Sequence, residues 1–193
     1  PNNNIYMEGY FQSEKYFQDV KKDLLNELNF KDKVKNKSNK YKDQILHSNS
    51  VSIHVRKNKF LKDENHSNLD LLNYENLKLN IDIISRGIKF FERKIDNPKF
   101  FIWSDDFTGL REIFPSNKFT FIVNDEKYTD TYDLYLMTLC KNFIMSPSTF
   151  HYWGCYLAKY KDKICLSPPY FKNKSGYYGF SNNKDIKPDW WVD

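Results

Sequence analysis

Residues 142–160 read NFIMSPSTFHYWGCYLAKY. A short apolar run, Phe143-Ile144-Met145, gives way to Ser146-Pro147-Ser148-Thr149, and an aromatic-rich segment with helical spacing follows. Small hydroxyl residues thus stand where a buried strand meets a buried helix. The fold reading turns on whether that junction is repeated elsewhere in the chain.

It is repeated on both sides. Downstream, Ile164-Cys165-Leu166 predicts a last strand, and residues 167–193 read as an irregular tail. Upstream, Thr129 or Asp130 caps a predicted helix through Tyr132, Leu136, Leu139 and Cys140. Strands are predicted over 119–123 (FTFIV) and 100–103 (FFIW), with a short helix near Leu110 between them. From Leu69 to Ile95, the residues Leu77, Ile81, Ile84, Ile88, Phe91 and Ile95 form one apolar stripe of a long helix, which Asn97-Pro98 ends. Residues 50–55, SVSIHV, predict another strand. Near the start, residues 12–28 place Tyr16, Phe17, Val20, Leu24 and Leu28 at helical spacing, with Ser13 as N-cap.

Strand and helix alternate, and most strands are continuous apolar runs, which predicts an open parallel α/β sheet covered on both faces. The chain has 193 residues, 40% hydrophobic and 18% aromatic, enough for one good core or one domain with an appendage. We divide it into residues 1–46, a helical segment with a Lys/Asn-rich linker, and residues 47–193, a domain built on that sheet with an irregular tail.

The net charge of +5 sits almost wholly in residues 31–43, KDKVKNKSNKYKD, which hold six lysines and two aspartates. With four arginines in all, the chain lacks the Arg-rich basic face of a nucleic-acid binder, so the run reads as a solvated linker and nucleic acid is not an expected partner. Cys140, Cys155 and Cys165 have no metal or redox spacing and are expected as buried thiols in a reducing compartment. No apolar run is long enough to cross a membrane, and the expectation is a cytoplasmic or intracellular protein. The chain opens at Pro1 without a Met, as a piece of a longer protein does, and a missing portion could carry an anchor.

Three strands end in polar residues: His54-x-Arg56-Lys57, Ser104-Asp105-Asp106 and Ser146-Pro147-Ser148-Thr149. In open α/β sheets, ligands bind outside those carboxyl ends. A helix N-terminus and hydroxyls at Ser148 and Thr149 suit a phosphate, and Arg56 offers a planar fork to phosphate oxygens. A carboxylate at Asp105 or Asp106 can accept paired N–H donors from a guanine edge. Each feature also has an ordinary structural reading, as helix cap, turn, core histidine or surface ion-pair partner. Together they point to a nucleoside-diphosphate site. GxxxxGK[ST], GxGxxG, zinc-ligand spacing and an Asp-x-Asp pair are all absent from the sequence. No metal or cofactor is expected.

At these residues the chain resembles the α-1,2-fucosyltransferases of glycosyltransferase family 11. "EGYFQSEKYF" (8–17) resembles the segment before their nucleotide domain, "SIHVRK" their His-x-Arg-Arg-Gly-Asp motif, and "NPKFFIWSDD" their strand ending in Ser-Asp-Asp. "DTYDLYLMTLCKNFIMSPSTFHYWGCYLAK" resembles their long helix–strand–turn–helix signature. The resemblance implies the carboxy-terminal, Rossmann-like half of a GT-B enzyme. It also implies inverting, metal-independent transfer of fucose from GDP-fucose to a hydroxyl of a glycan acceptor. By position, Arg56 would bind the diphosphate, His54 would lie beside the nucleotide, Asp105 or Asp106 would read guanine, and Ser148 and Thr149 would stand near the phosphates. Trp153-Gly154 would pack the following helix on the sheet. Asp63 and Glu64, in the loop after Arg56, are the candidate general bases.

The departures are Lys57 for the second Arg, Asn58-Lys59 for Gly-Asp, Pro147 for Asn, and His151-Tyr152 for Ser-Trp. The family's Gly-rich amino-terminal motif is absent from the chain. A non-catalytic GDP-sugar-binding module with an altered phosphate motif is the alternative expectation.

Overall fold

The computed structural model describes residues 6, 8, 13–37, 40–57, 67–115, 117–123, 129–146, 148–166 and 185–192, without the side chains of 67–76. Its centre is a five-stranded, wholly parallel sheet of β1 (Asn49–Val55), β2 (Pro98–Ser104), β3 (Phe119–Phe121), β4 (Asn142–Ile144) and β5 (Cys165–Leu166). The spatial order is β3-β2-β1-β4-β5. The chain therefore runs outward from β1 to β3, then returns across β1 to lay down β4 and β5. That reversal puts a topological switch point between β1 and β4, where the carboxyl ends of neighbouring strands feed connections that diverge and leave a crevice. The expected Rossmann-like open sheet is what the protein has.

Apolar layers cover both faces. On one, Val51, Ile53 and Val55 of β1 pack with Phe100, Ile102 and Ile144 under α4 (Ser67–Lys94) and α5 (Leu110–Ile113). Every residue of the stripe predicted from Leu77 to Ile95 joins this layer, because spacings of three and four hold them on one side of the helix. At Gly87 an added Cβ would lie 2.7 Å from Ile144 Cγ2, so the absence of a side chain lets α4 approach β4 closely. On the other face, Phe101, Trp103, Phe143, Met145 and Cys165 pack with α6 (Thr129–Thr138) and α7 (Thr149–Leu157). All three cysteines are buried and free.

Three expectations need correction. The continuous helix expected over 12–28 is two short 3-10 turns, Glu14–Tyr16 and Gln18–Val20, followed by α1 (Lys21–Glu27). Phe17 stacks on Trp153 at 5.7 Å and meets Tyr156 edge-on at 5.6 Å, so one aromatic anchor replaces the expected stripe and Tyr16 and Val20 stay exposed. Ser13 does cap the first turn, accepting from Lys15 N.

Second, the run expected as a solvated linker is helical. It forms α2 (Asp32–Lys35) and α3 (Lys40–Leu46) and sends Tyr41 and Ile45 into the α6 side of the core. Tyr41 and Ile45, four apart in α3, share one face of that helix, and Val34 of α2 packs against the same cluster. Burial of Ile45 contributes about 2 kcal/mol, and the Tyr132 hydroxyl donates to the Lys37 carbonyl at 3.3 Å.

The tail is irregular where it is described, as expected: residues 185–192 form turns and bends, with Trp191 in the core and Val192 N donating to Cys165 O at 2.8 Å. Third, Gly154 does not serve contact with the sheet. Its missing Cβ would stand 2.8 Å from Met137 Cβ, so it permits close packing of α7 on α6.

Candidate functional site

β1 alternates, unlike the strands beside it. Val51, Ile53 and Val55 are apolar, while Ser50, Ser52 and His54 point to the opposite layer. Each polar side chain needs a partner in that layer. Ser50 Oγ accepts from Lys141 N at 3.1 Å. Ser52 Oγ lies 3.0 Å from Nε2 of His151, a fully buried residue in the first turn of α7. His54 is partly buried, its ring 5.8 Å from that of His151 and 6.2 Å from that of Phe150. The carboxyl end of β1 and the amino end of α7 are therefore in contact across the switch point.

Loss of hydration lowers the His54 pKa to about 4; Asp105 opposes the shift and Arg56 adds to it. His151 is likewise held well below the ordinary histidine value, first by burial and then by His54. Both rings are neutral at pH 7. His54 Nδ1 is shielded and has no hydrogen-bond partner among the described residues.

Arg56 follows β1 into solvent and is exposed. Among the described residues no carboxylate pairs with it. Ser148 is the N-cap of α7 and is buried, its Oγ accepting from His151 N at 3.3 Å. Its carbonyl accepts from Tyr152 N at 2.9 Å. The N–H groups of Thr149 and Phe150 have no partner among the described residues, and Thr149 is exposed beside them. Here the cap reading of Ser148 and the anion reading of the helix start fall on different residues: one hydroxyl closes the turn and the next faces out.

The acidic pair lies on the other side of β1. Lys57 N donates to Asp105 Oδ1 at 2.7 Å, and Lys57 Nζ donates to Asp106 Oδ2 at 2.9 Å and to the Thr108 carbonyl at 2.5 Å. Thr108 N donates to Asp106 Oδ1 at 2.8 Å. The Thr108 and Lys57 bonds hold the Asp106 carboxyl down at about 2. Ser104 Oγ donates to the Val55 carbonyl at 2.7 Å, completing the join between the ends of β1 and β2. Asp63 and Glu64, the expected bases, lie outside the described residues.

The structure thus brings His54 against Phe150 and His151 of α7, with Arg56 two residues further along the chain from His54 and Thr149 next to Phe150, and sets Asp105 and Asp106 at the end of β2 on the other side of β1. Ser52, Ser146 and His151 are part of the same construction, although the motif reading, which touches them, gives them no role in the site. The signal for them is the Ser50-x-Ser52-x-His54 alternation: a strand polar on one face inside a doubly covered sheet requires a buried polar partner. A cavity of about 760 Å³ lies elsewhere, lined by α1 and the carboxyl ends of α6 and α7 with Trp190. Its Lys163 is committed to the carbonyls of Cys155 and Ala158, capping α7.

Comparison with known proteins places the chain among sugar transferases. The family profile described as Glycosyl transferase family 11 matches residues 1–192. The chain is 30% identical over 190 residues to an alpha-1,2-colitosyltransferase of Escherichia coli, covering 95% of this chain and 60% of that protein. It is 24% identical over 146 residues to the O-antigen biosynthesis glycosyltransferase WbnK of Escherichia coli, covering 75% of this chain and 44% of that protein. The chain therefore spans about half the length of the curated relatives it matches. No solved structure matches.

Proposed function

Since the chain belongs to glycosyltransferase family 11, we propose that it supplies the donor-binding, carboxy-terminal half of a GT-B enzyme. That enzyme transfers fucose from GDP-fucose to a sugar hydroxyl with inversion and without a metal. The observation that carries this reading is that Arg56, at the end of β1, is exposed with no carboxylate partner among the described residues, and that the Thr149 and Phe150 N–H groups, at the start of the helix that His54 touches, likewise have none among them.

In this reading the diphosphate lies along the crevice. The Arg56 fork and the Thr149 and Phe150 N–H groups stabilise the charge that grows on the β-phosphate as the bond from the anomeric carbon to that phosphate breaks. The acceptor hydroxyl attacks that carbon from the opposite side, and its proton passes to a carboxylate, for which Asp63 and Glu64 are the candidates. Neutral His54 borders the nucleotide and adds no competing positive charge. Asp105 and Asp106 take the guanine edge. A carboxylate has about four acceptor sites, so Asp106 retains capacity beyond its bonds to Lys57 and Thr108.

One observation favours a second reading. Lys57 stands where the family has a second Arg, and its Nζ is spent on Asp106 and Thr108 rather than turned to a phosphate. With one cation fewer at the diphosphate, the domain would bind the donor without turnover.

Calorimetry of GDP, UDP and GDP-fucose, followed by a fucose-transfer assay on a panel of glycan acceptors, separates the outcomes. The proposal expects GDP to bind at least tenfold tighter than UDP, and fucose to reach an acceptor. Binding without transfer leaves the second reading standing. Equal affinity for GDP and UDP removes the guanine assignment.

A further inference from the structure

His151 occupies a position where the resemblance expects a small residue, and it is fully buried. Nevertheless, every polar atom of its side chain is engaged. Nε2 lies 3.0 Å from Ser52 Oγ on β1, and Nδ1 lies 3.3 Å from Ser146 Oγ, just past the end of β4. Its backbone N–H closes the cap on Ser148. Its ring also meets those of His54 and Phe143, at 5.8 and 6.1 Å. One side chain therefore touches β1, the end of β4 and the turn into α7, beneath the point from which Arg56 and Thr149 emerge.

A neutral imidazole has one N–H and one bare nitrogen, so it joins two hydroxyls only in a complementary sense. One serine donates to it and the other accepts from it. That pairing fixes the ring orientation and, through it, the separation of the two serines. Parallel pairing alone leaves this seam short: β1 and β4 share three paired positions, Val51 with Asn142 through Ile53 with Ile144, whereas β1 and β2 share seven. The strand ends that bear the crevice lie beyond the last β1–β4 pair.

We infer that His151 is a positioning residue of the crevice: it cross-links Ser52 to Ser146 and so sets the distance between the Arg56 end of β1 and the amino end of α7. The consequence for affinity rests on the reading of that crevice as a diphosphate site. The cross-link itself does not.

The test compares His151→Ser, His151→Asn and Cys140→Ala in the full chain. Cys140 is buried in the same apolar layer, so its truncation reports destabilisation alone. His151→Ser should weaken GDP and inorganic pyrophosphate alike, about tenfold by calorimetry. It should also speed amide exchange at 148–152 at least tenfold. His151→Asn keeps a donor and an acceptor, recovers part of both losses, and carries the same comparison should the serine variant not fold. Cys140→Ala should lower the melting temperature and leave pyrophosphate affinity within twofold.

A folded His151→Ser protein with unchanged affinity and unchanged exchange at 148–152 overturns the proposal. So does an equal loss of affinity in Cys140→Ala. If the unaltered chain binds neither GDP nor pyrophosphate, the diphosphate reading fails by itself. Exchange at 148–152 in His151→Ser then decides the cross-link: faster exchange upholds it and unchanged exchange ends it.

Discussion

Two seams flank the carboxyl end of β1, and they are made of different material. Toward β2, seven paired positions are followed by a web of side-chain bonds: Ser104 to the Val55 carbonyl, Lys57 to Asp106, and the Lys57 amide to Asp105. Toward β4, three paired positions are followed by a buried histidine, by an arginine with no carboxylate partner among the described residues, and by two first-turn N–H groups, of Thr149 and Phe150, that no described residue satisfies. The same short stretch, His54 to Lys57, supplies both sides. Its Lys is spent on the protein and its Arg is held out to solvent. A charge satisfied internally adds to the fold, and one left open is available to an anionic partner.

That contrast predicts that the two seams respond to substitution in opposite currencies. The largest effect belongs to the β4 side. Arg56→Ala should weaken GDP binding by about 2 kcal/mol, roughly thirtyfold, as loss of a charge-assisted bidentate contact does. Its melting temperature should hold, because no described residue depends on Arg56. Calorimetry and thermal melts on the same sample check both halves.

Acid should come next. His54 and His151 are neutral in the fold, with pKa values below that of a free histidine, so the unfolded chain binds protons first as the pH falls. Stability is complete above about pH 6.5 and declines below it, until His54 itself titrates near pH 4. For His54 the decline from pH 7.5 to pH 5 is about 2 kcal/mol, read from urea melts at the two values. Asp106 acts in a lower window. Its folded pKa is depressed, so its contribution is present above the ordinary carboxylate value and is lost as the pH falls toward 2.

The β2 side should behave inversely. Ser104→Ala removes the bond to the Val55 carbonyl and should cost about 1 kcal/mol of stability, with GDP affinity changed less than twofold. Ser148→Ala should cost about 1 kcal/mol as a lost N-cap and should also loosen the helix start. The smallest effect is expected at Thr149→Ala, a two- to threefold loss of GDP affinity with an unchanged melt, since its side chain is exposed and its backbone N–H is retained.

The strands were the most legible part of the chain. Apolar runs around 100–103, 143–145 and 164–166 suit strands buried on both faces of a doubly covered parallel sheet, and that is where β2, β4 and β5 lie; the β-rich stretch 50–55 is β1. The stripe of α4 was legible because six apolar residues from Leu77 to Ile95 repeat spacings of four and three. Residues 12–28 misled because a single anchor, Phe17 on Trp153, outweighs an apolar pattern of which Tyr16, Val20 and Leu28 stay exposed. The lysine-rich run misled because composition averages over Tyr41 and Ile45, the two residues that decide its packing. At the site, a motif shows which residue types stand at the strand ends but not how they share partners. That Lys57 turns to Asp106 while Arg56 turns to solvent is a matter of three-dimensional competition. The motif marks His151 only as a departure; its role becomes legible through the polar face of β1.

The most direct test of the central claim is a crystal structure of the chain with GDP. The account predicts the diphosphate in the β1–β4 crevice, within hydrogen-bond distance of the Arg56 guanidinium and of the Thr149 or Phe150 N–H. GDP seated instead in the cavity among α1, the carboxyl ends of α6 and α7, and Trp190, with Arg56 untouched, would contradict it.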